Sequence, residues 1–117
     1  MALLLGIDNG LTVTKAVIFA ENGQVLATAR RRVAQSMPCA RHVERDMGDL
    51  WTQTAAAIAE AVASCGRPDP DRRRGRDRAW RRALPSGPAG AAAGAGILSL
   101  DSRAGDLAGA WLRDGTA

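Results

Sequence analysis

The stretch Leu5-Gly6-Ile7-Asp8-Asn9-Gly10-Leu11-Thr12-Val13-Thr14-Lys15 reads as a strand, a tight turn and the start of a returning strand. Leu3 to Asp8 is a short apolar run of the kind a buried strand makes. Asp8-Asn9-Gly10 is turn chemistry, because Asn and Gly tolerate backbone conformations that other residues avoid. Thr12 to Ala20 is rich in β-branched residues and predicts a second strand. Glu21-Asn22-Gly23 carries the Asn-Gly pair favoured in tight hairpins, and Gln24 to Val33 predicts a third strand. The expectation is a three-stranded antiparallel meander.

Beyond the meander, Ala34 to Arg45 is a looser stretch that contains Pro38. Asp46 then has the place of a helix N-cap, and Asp49 sits where its charge favours the helix dipole. Met47, Leu50, Trp51, Thr54, Ile58, Ala61, Val62 and Cys65 recur at helical spacing, and Gly66 followed by Pro68 ends the run. Trp51 is expected to anchor this helix in the core, as is Trp111 on a later one. Ile97 to Leu100 predicts a short strand, and Asp101 through Trp111 a helix.

The bulk properties narrow the class. With 117 residues there is room for one modest core. The hydrophobic content of 46% includes a single Phe and no Tyr, and much of it is alanine, so that core is expected to be thin. No apolar run reaches the roughly 18 residues of a membrane span, and no basic segment precedes Met1 to Ile7 as in a signal peptide. A cytoplasmic chain with reduced Cys39 and Cys65 is the expectation. The net charge of +4 has one source: residues 72–95 hold seven basic residues against one acid, while the remainder carries −2.

The chemistry lies at the first turn. A strand delivers the Asp8 carboxylate, Gly10 lets backbone N–H groups approach a ligand, and the Thr12 and Thr14 hydroxyls and the Lys15 ammonium follow. Such a turn suits a polyphosphate, with the carboxylate holding Mg²⁺ through water. It is not a Walker A loop, which needs a longer glycine loop ending in Lys-Ser/Thr before a helix. A plain hairpin with an Asp-Asn-Gly turn has the same local pattern.

This turn resembles the first phosphate-binding hairpin of the FGGY carbohydrate kinases. His42-Val43-Glu44-Arg45-Asp46 with Leu50-Trp51 resembles that family's Glu-x-Asp and Trp ahead of its first helix. Ile97-Leu98-Ser99-Leu100-Asp101-Ser102-Arg103-Ala104 resembles its Asp-x-Arg strand end near the sugar, and residues 111–115 are similar to L-xylulose kinase-like members. The likeness covers about residues 3–71 and 96–117; Leu11 departs from it, standing where many members have Thr or Gly.

The resemblance implies an α/β fold, part of a ribonuclease H-like lobe of the actin, hexokinase and Hsp70-type ATPases, here incomplete. It implies ATP and Mg²⁺ as cofactors, and transfer of the γ-phosphoryl group to a hydroxyl of a ketopentose-like sugar. Asp8, Gly10, Thr12, Thr14 and Lys15 would face the nucleotide, with Asp8 toward the metal. Glu44, Asp101 and Arg103 would face the sugar, a structural ion pair being the rival role for Asp101 and Arg103. The family's catalytic base and second lobe lie beyond Ala117, so the chain alone is expected to be inactive. A small non-catalytic binding module and a gene remnant are the alternatives.

Residues 72–95 interrupt the pattern and are expected to lack order. Where this family has a buried strand and a sugar-contacting turn, the chain has Arg-rich and then Pro-, Gly- and Ala-rich sequence. CGN arginine codons read one nucleotide later begin with G, and so encode Val, Ala, Gly, Asp or Glu. Arg76 to Pro85 can be encoded so that the shifted frame gives Val-Thr-Gly-His-Gly-Asp-Gly-Leu-Tyr-Leu, a string resembling the family's substrate loop. The glycine beneath Trp80 is the most constrained, since TGG is its only codon. A basic linker or an RNA-binding arm would share the composition, but Trp80 alone supplies the aromatic stacking that an arm needs. No nucleic-acid partner and no membrane are expected.

Overall fold

A computed structural model of the chain describes residues 2–66, the backbone of 73–76, and 85–116. The meander is present as β1 (Leu3–Asn9), β2 (Val13–Ala20) and β3 (Val25–Arg32), antiparallel throughout. At the β2–β3 turn, Ala20 N–H donates to the Gln24 carbonyl at 2.9 Å and the Asn22 side chain accepts from the Gln24 N–H. Two further short strands, β4 (Glu44–Arg45) and β6 (Gly96–Ile97), pair with each other in a separate two-stranded sheet.

Between them in sequence, β5 (Arg73–Arg76) lies parallel to β1, making the main sheet β3-β2-β1-β5. Within residues 85–95, Ser86 bridges Ala92. Pro68, Arg72 and residues 77–84, with the shifted string beginning at Arg76, lie largely outside the described residues.

Helix α1 (Met47–Cys65) begins where sequence places it: the Asp46 carboxylate accepts the Asp49 N–H at 2.6 Å. It ends at Gly66, whose φ of 65° is a left-handed conformation that glycine adopts without a Cβ clash. Leu50, Thr54, Ala57 and Ala61 are its buried residues, and Ala57 and Ala61 pack in one cluster with Leu3, Leu5, Ala16, Ile18, Ala27 and Ala29 of the sheet. Alanine on both sides lets helix and sheet approach closely and leaves the expected thin core.

Trp51 does not join that core; it is 70% exposed. One residue along a helix is a rotation of about 100°, so burying Leu50 and Thr54 turns Trp51 outward. Trp111, at 44% exposure, is no core anchor either. It lies on α2 (Gly105–Asp114), which starts four residues later than the sequence pattern suggests. The reason is local. The Asp101 carboxylate accepts the N–H groups of Val43 and Arg103, which commits residues 101–103 to a loop.

Candidate functional site

The β1–β2 register places Asp8 directly opposite Lys15, and the β2–β3 register places Lys15 opposite Arg30. Strand alternation puts all three on the face of the sheet away from α1. They line an open depression of about 330 Å³ together with Gly10, Leu11, Thr12 and Val13. Asp8 is exposed and points into this concavity. Arg30 escapes a motif-based reading, because a register shift between Ile18 and Phe19 lies between the Asn22-Gly23 turn and the Lys15–Arg30 pair.

The turn itself is tightly determined. Gly10 N–H donates to the Val13 carbonyl at 2.8 Å. A Cβ on Gly10 would stand 2.7 Å from that carbonyl oxygen, so no larger residue fits without moving backbone. From behind, the Arg45 Nη2 donates to the carbonyls of Gly10 and Leu11, and Gln35 Nε2 donates to Leu11 as well.

Thr14, expected to meet phosphate, faces the other way. It is fully buried against α1, hydrogen-bonded to Asn9 Oδ1 and to the Thr54 hydroxyl. The cause is the same alternation that turns Lys15 outward: its neighbour must turn in.

A second group of polar residues is built on β4 and the segment after β6. Arg103 Nη2 reaches Glu44 Oε1 at 2.6 Å and Asp101 Oδ2 at 2.7 Å, while its Nε donates to Asp101 Oδ1 at 2.9 Å. The Arg103 guanidinium, helped by the Val43 and Arg103 backbone N–H groups and against some loss of hydration, holds the Asp101 carboxyl well below the usual carboxylate range. Asp101 in turn pushes the Arg103 pKa upward. The Asp101 side chain is only 3% exposed, so it is an internal partner, whereas Glu44 and Arg103 keep accessible atoms. His42 Nδ1 stands 3.8 Å from Glu44, beyond hydrogen-bond reach.

Among the described residues no cluster of three His, Cys, Asp or Glu is arranged around a common metal position. The donor set at the first turn still fits Mg²⁺ carried by a polyphosphate. That ion keeps several waters and needs only one or two carboxylates, and the open depression lined by Asp8 and Gly10 has room for a phosphate.

Residues 3–69 match the model for the FGGY family of carbohydrate kinases, N-terminal domain. The chain belongs to that family. Relatives of this FGGY chain include glycerol kinase of Citrifermentans bemidjiense, 44% identical over 66 residues, and glycerol kinase of Acinetobacter baylyi, 41% identical over 64. These alignments cover 56% and 55% of this chain and 13% of each relative. The chain therefore spans about 13% of the length of the curated relatives it matches.

Among solved structures, xylulose kinase from Rhodospirillum rubrum superposes with a TM-score of 0.82 at 23% identity, and gluconate kinase from Lactobacillus acidophilus with 0.83 at 16%. Each superposition covers 23% of the larger protein, and 96% and 97% of this chain respectively. The fold is a partial actin/hexokinase-like ATPase lobe, as the sequence resemblance implies. No described helix is long and apolar enough to cross a membrane.

Proposed function

We propose that residues 1–117 supply the nucleotide-phosphate turn and part of the acceptor wall of an ATP-dependent carbohydrate kinase. The observation that carries this reading is the convergence of Asp8, Gly10, Thr12 and Lys15, joined by Arg30, on one concave face of a family-typical hairpin. Lys15 and Arg30 offset the charge of transferring phosphate, and the Thr12 hydroxyl and turn amides donate to its oxygens. Mg²⁺, when bound, neutralises phosphate charge beside Asp8. In the transfer, the bond from γ-phosphorus to the bridging oxygen breaks as a bond to the acceptor hydroxyl forms. The hydroxyl proton passes to a base supplied outside residues 1–117.

Glu44 and Arg103 are the acceptor-side contacts, held in place by Asp101. The acceptor we favour is a ketopentose, on the pattern of residues 97–104 and 111–115. Glycerol is the second reading, favoured by the relatives named glycerol kinase. The test is a titration of the chain with MgADP followed by amide NMR shifts, repeated with Asp8→Asn. Shifts centred on residues 8–15 that weaken in the variant support the reading, and shifts elsewhere or none refute it. Acceptor choice is decided in the complete polypeptide, by comparing ATP turnover with L-xylulose, D-xylulose and glycerol.

A further inference from the structure

Arg45 is 1% exposed, the largest side chain among those fully buried in the described residues. A guanidinium withdrawn from water is costly unless its donors are satisfied, so its partners say what it is for. Two of them are the carbonyls of Gly10 and Leu11, consecutive residues at the tip of the β1–β2 turn. In a trans peptide the N–H points opposite to the C=O of the same plane. Drawing the Gly10 and Leu11 carbonyls inward therefore aims the N–H groups of Leu11 and Thr12 outward, on the side where Asp8, Thr12 and Lys15 line the depression. Neither N–H donates to another backbone group among the described residues.

Resting on the nucleotide-phosphate reading above, we propose that Arg45 is a positioning residue. It sets the two outward amides of the turn as phosphate donors without touching phosphate itself. Strand β4 adds a second role to the placement, since its alternation sends Glu44 to Arg103 and Arg45 to the turn.

The test uses the full chain and MgADP as probe, with Arg45→Met to remove the donors at similar length and Arg45→Lys to restore a cation that can donate to both carbonyls. Melting curves fix the folded fraction of each. Loss of charge-assisted hydrogen bonds that orient the donors is expected to weaken MgADP binding roughly tenfold in folded Arg45→Met. The Leu11 and Thr12 amides should lose their MgADP-induced shifts, and Arg45→Lys should recover most of the affinity. Arg45→Met that is folded and binds within about twofold of wild type, with those amides responding as before, overturns the proposal.

Should Arg45→Met not fold, wild-type spectra decide. Leu11 and Thr12 must be among the amides most shifted by MgADP, and their indifference sinks the idea. If wild type binds no MgADP, the nucleotide reading fails, and the donor role proposed for the turn falls with it. The tether itself is then tested separately in the free chain, where Arg45→Lys must move the Gly10 and Leu11 carbonyl resonances.

Discussion

Thr14 and Thr54, forty residues apart in the chain, bring their hydroxyl oxygens within 3.2 Å of each other beneath the strand pair that carries Asp8. Asn9 Oδ1 accepts from Thr14, and the single Thr54 hydroxyl proton goes to Asn9 Oδ1 or to Thr14, so the cluster ties the turn, β2 and α1 together. Replacing either threonine with valine keeps shape but strands a buried polar partner. Each single change is expected to cost about 1–2 kcal/mol, and the double change to depart from their sum, since both hydroxyls share the Asn9 acceptor. Denaturant melts of the four-member cycle measure this directly; strict additivity would show that the hydroxyls are not coupled.

Gly10→Ala tests the turn from the opposite direction. The added methyl would lie 2.7 Å from the Val13 carbonyl oxygen, and backbone rather than a flexible side chain must give way. The expected result is a loss of about 1–3 kcal/mol in stability together with loss of MgADP-induced shifts at residues 8–15. Normal binding would mean that the turn is looser than its geometry indicates.

The Asp101 carboxyl provides a pH signature. Its pKa is lowered on folding, so its contribution is fully present above the ordinary value of 3.8 and is lost as pH falls through the lower folded value. Asp101→Asn should therefore melt below wild type at pH 7, with the gap closing as the solution is taken below pH 3.8. A gap that stays constant through that range would remove the ion pair as its cause.

Much of this architecture is legible in the order of residues. The Asn22-Gly23 turn, the Asp46 cap and the Gly66 stop are local devices, and local devices act the same in any fold. The outward position of Trp51 was not legible, because helical periodicity finds an apolar stripe without saying where the stripe ends. At Thr14 sequence leaves the phase open: a motif groups neighbours in sequence, whereas a strand sends them to opposite faces. Arg45 was hidden for a different reason, since nothing in sequence marks an arginine whose acceptors are main-chain carbonyls thirty-odd residues earlier.

The basic segment makes its own prediction. Backbone pairing of Arg73–Arg76 with β1 puts an arginine-rich strand at the edge of the main sheet. Sequencing the gene across codons 72–95 should show CGN arginine codons and flanking compensating single-nucleotide changes. Codons incompatible with the shifted string would end that explanation, and restoring the frame should raise the melting temperature if it is correct.

A polypeptide limited to residues 1–117 is expected to show no ATP turnover with L-xylulose, D-xylulose or glycerol, because the superposed kinases are about four times longer. A coupled ADP-release assay checks this, and turnover above the protein-free blank would contradict it.

Glu44, Arg45 and Asp46 are consecutive, yet each is committed to a different piece of the molecule: the Arg103 loop, the β1–β2 turn and the first turn of α1. These three adjacent attachments work like the teeth of a key. Inserting or deleting one residue here would misalign three attachments at once, so length variation within this tripeptide should be far less tolerable than substitution anywhere along it.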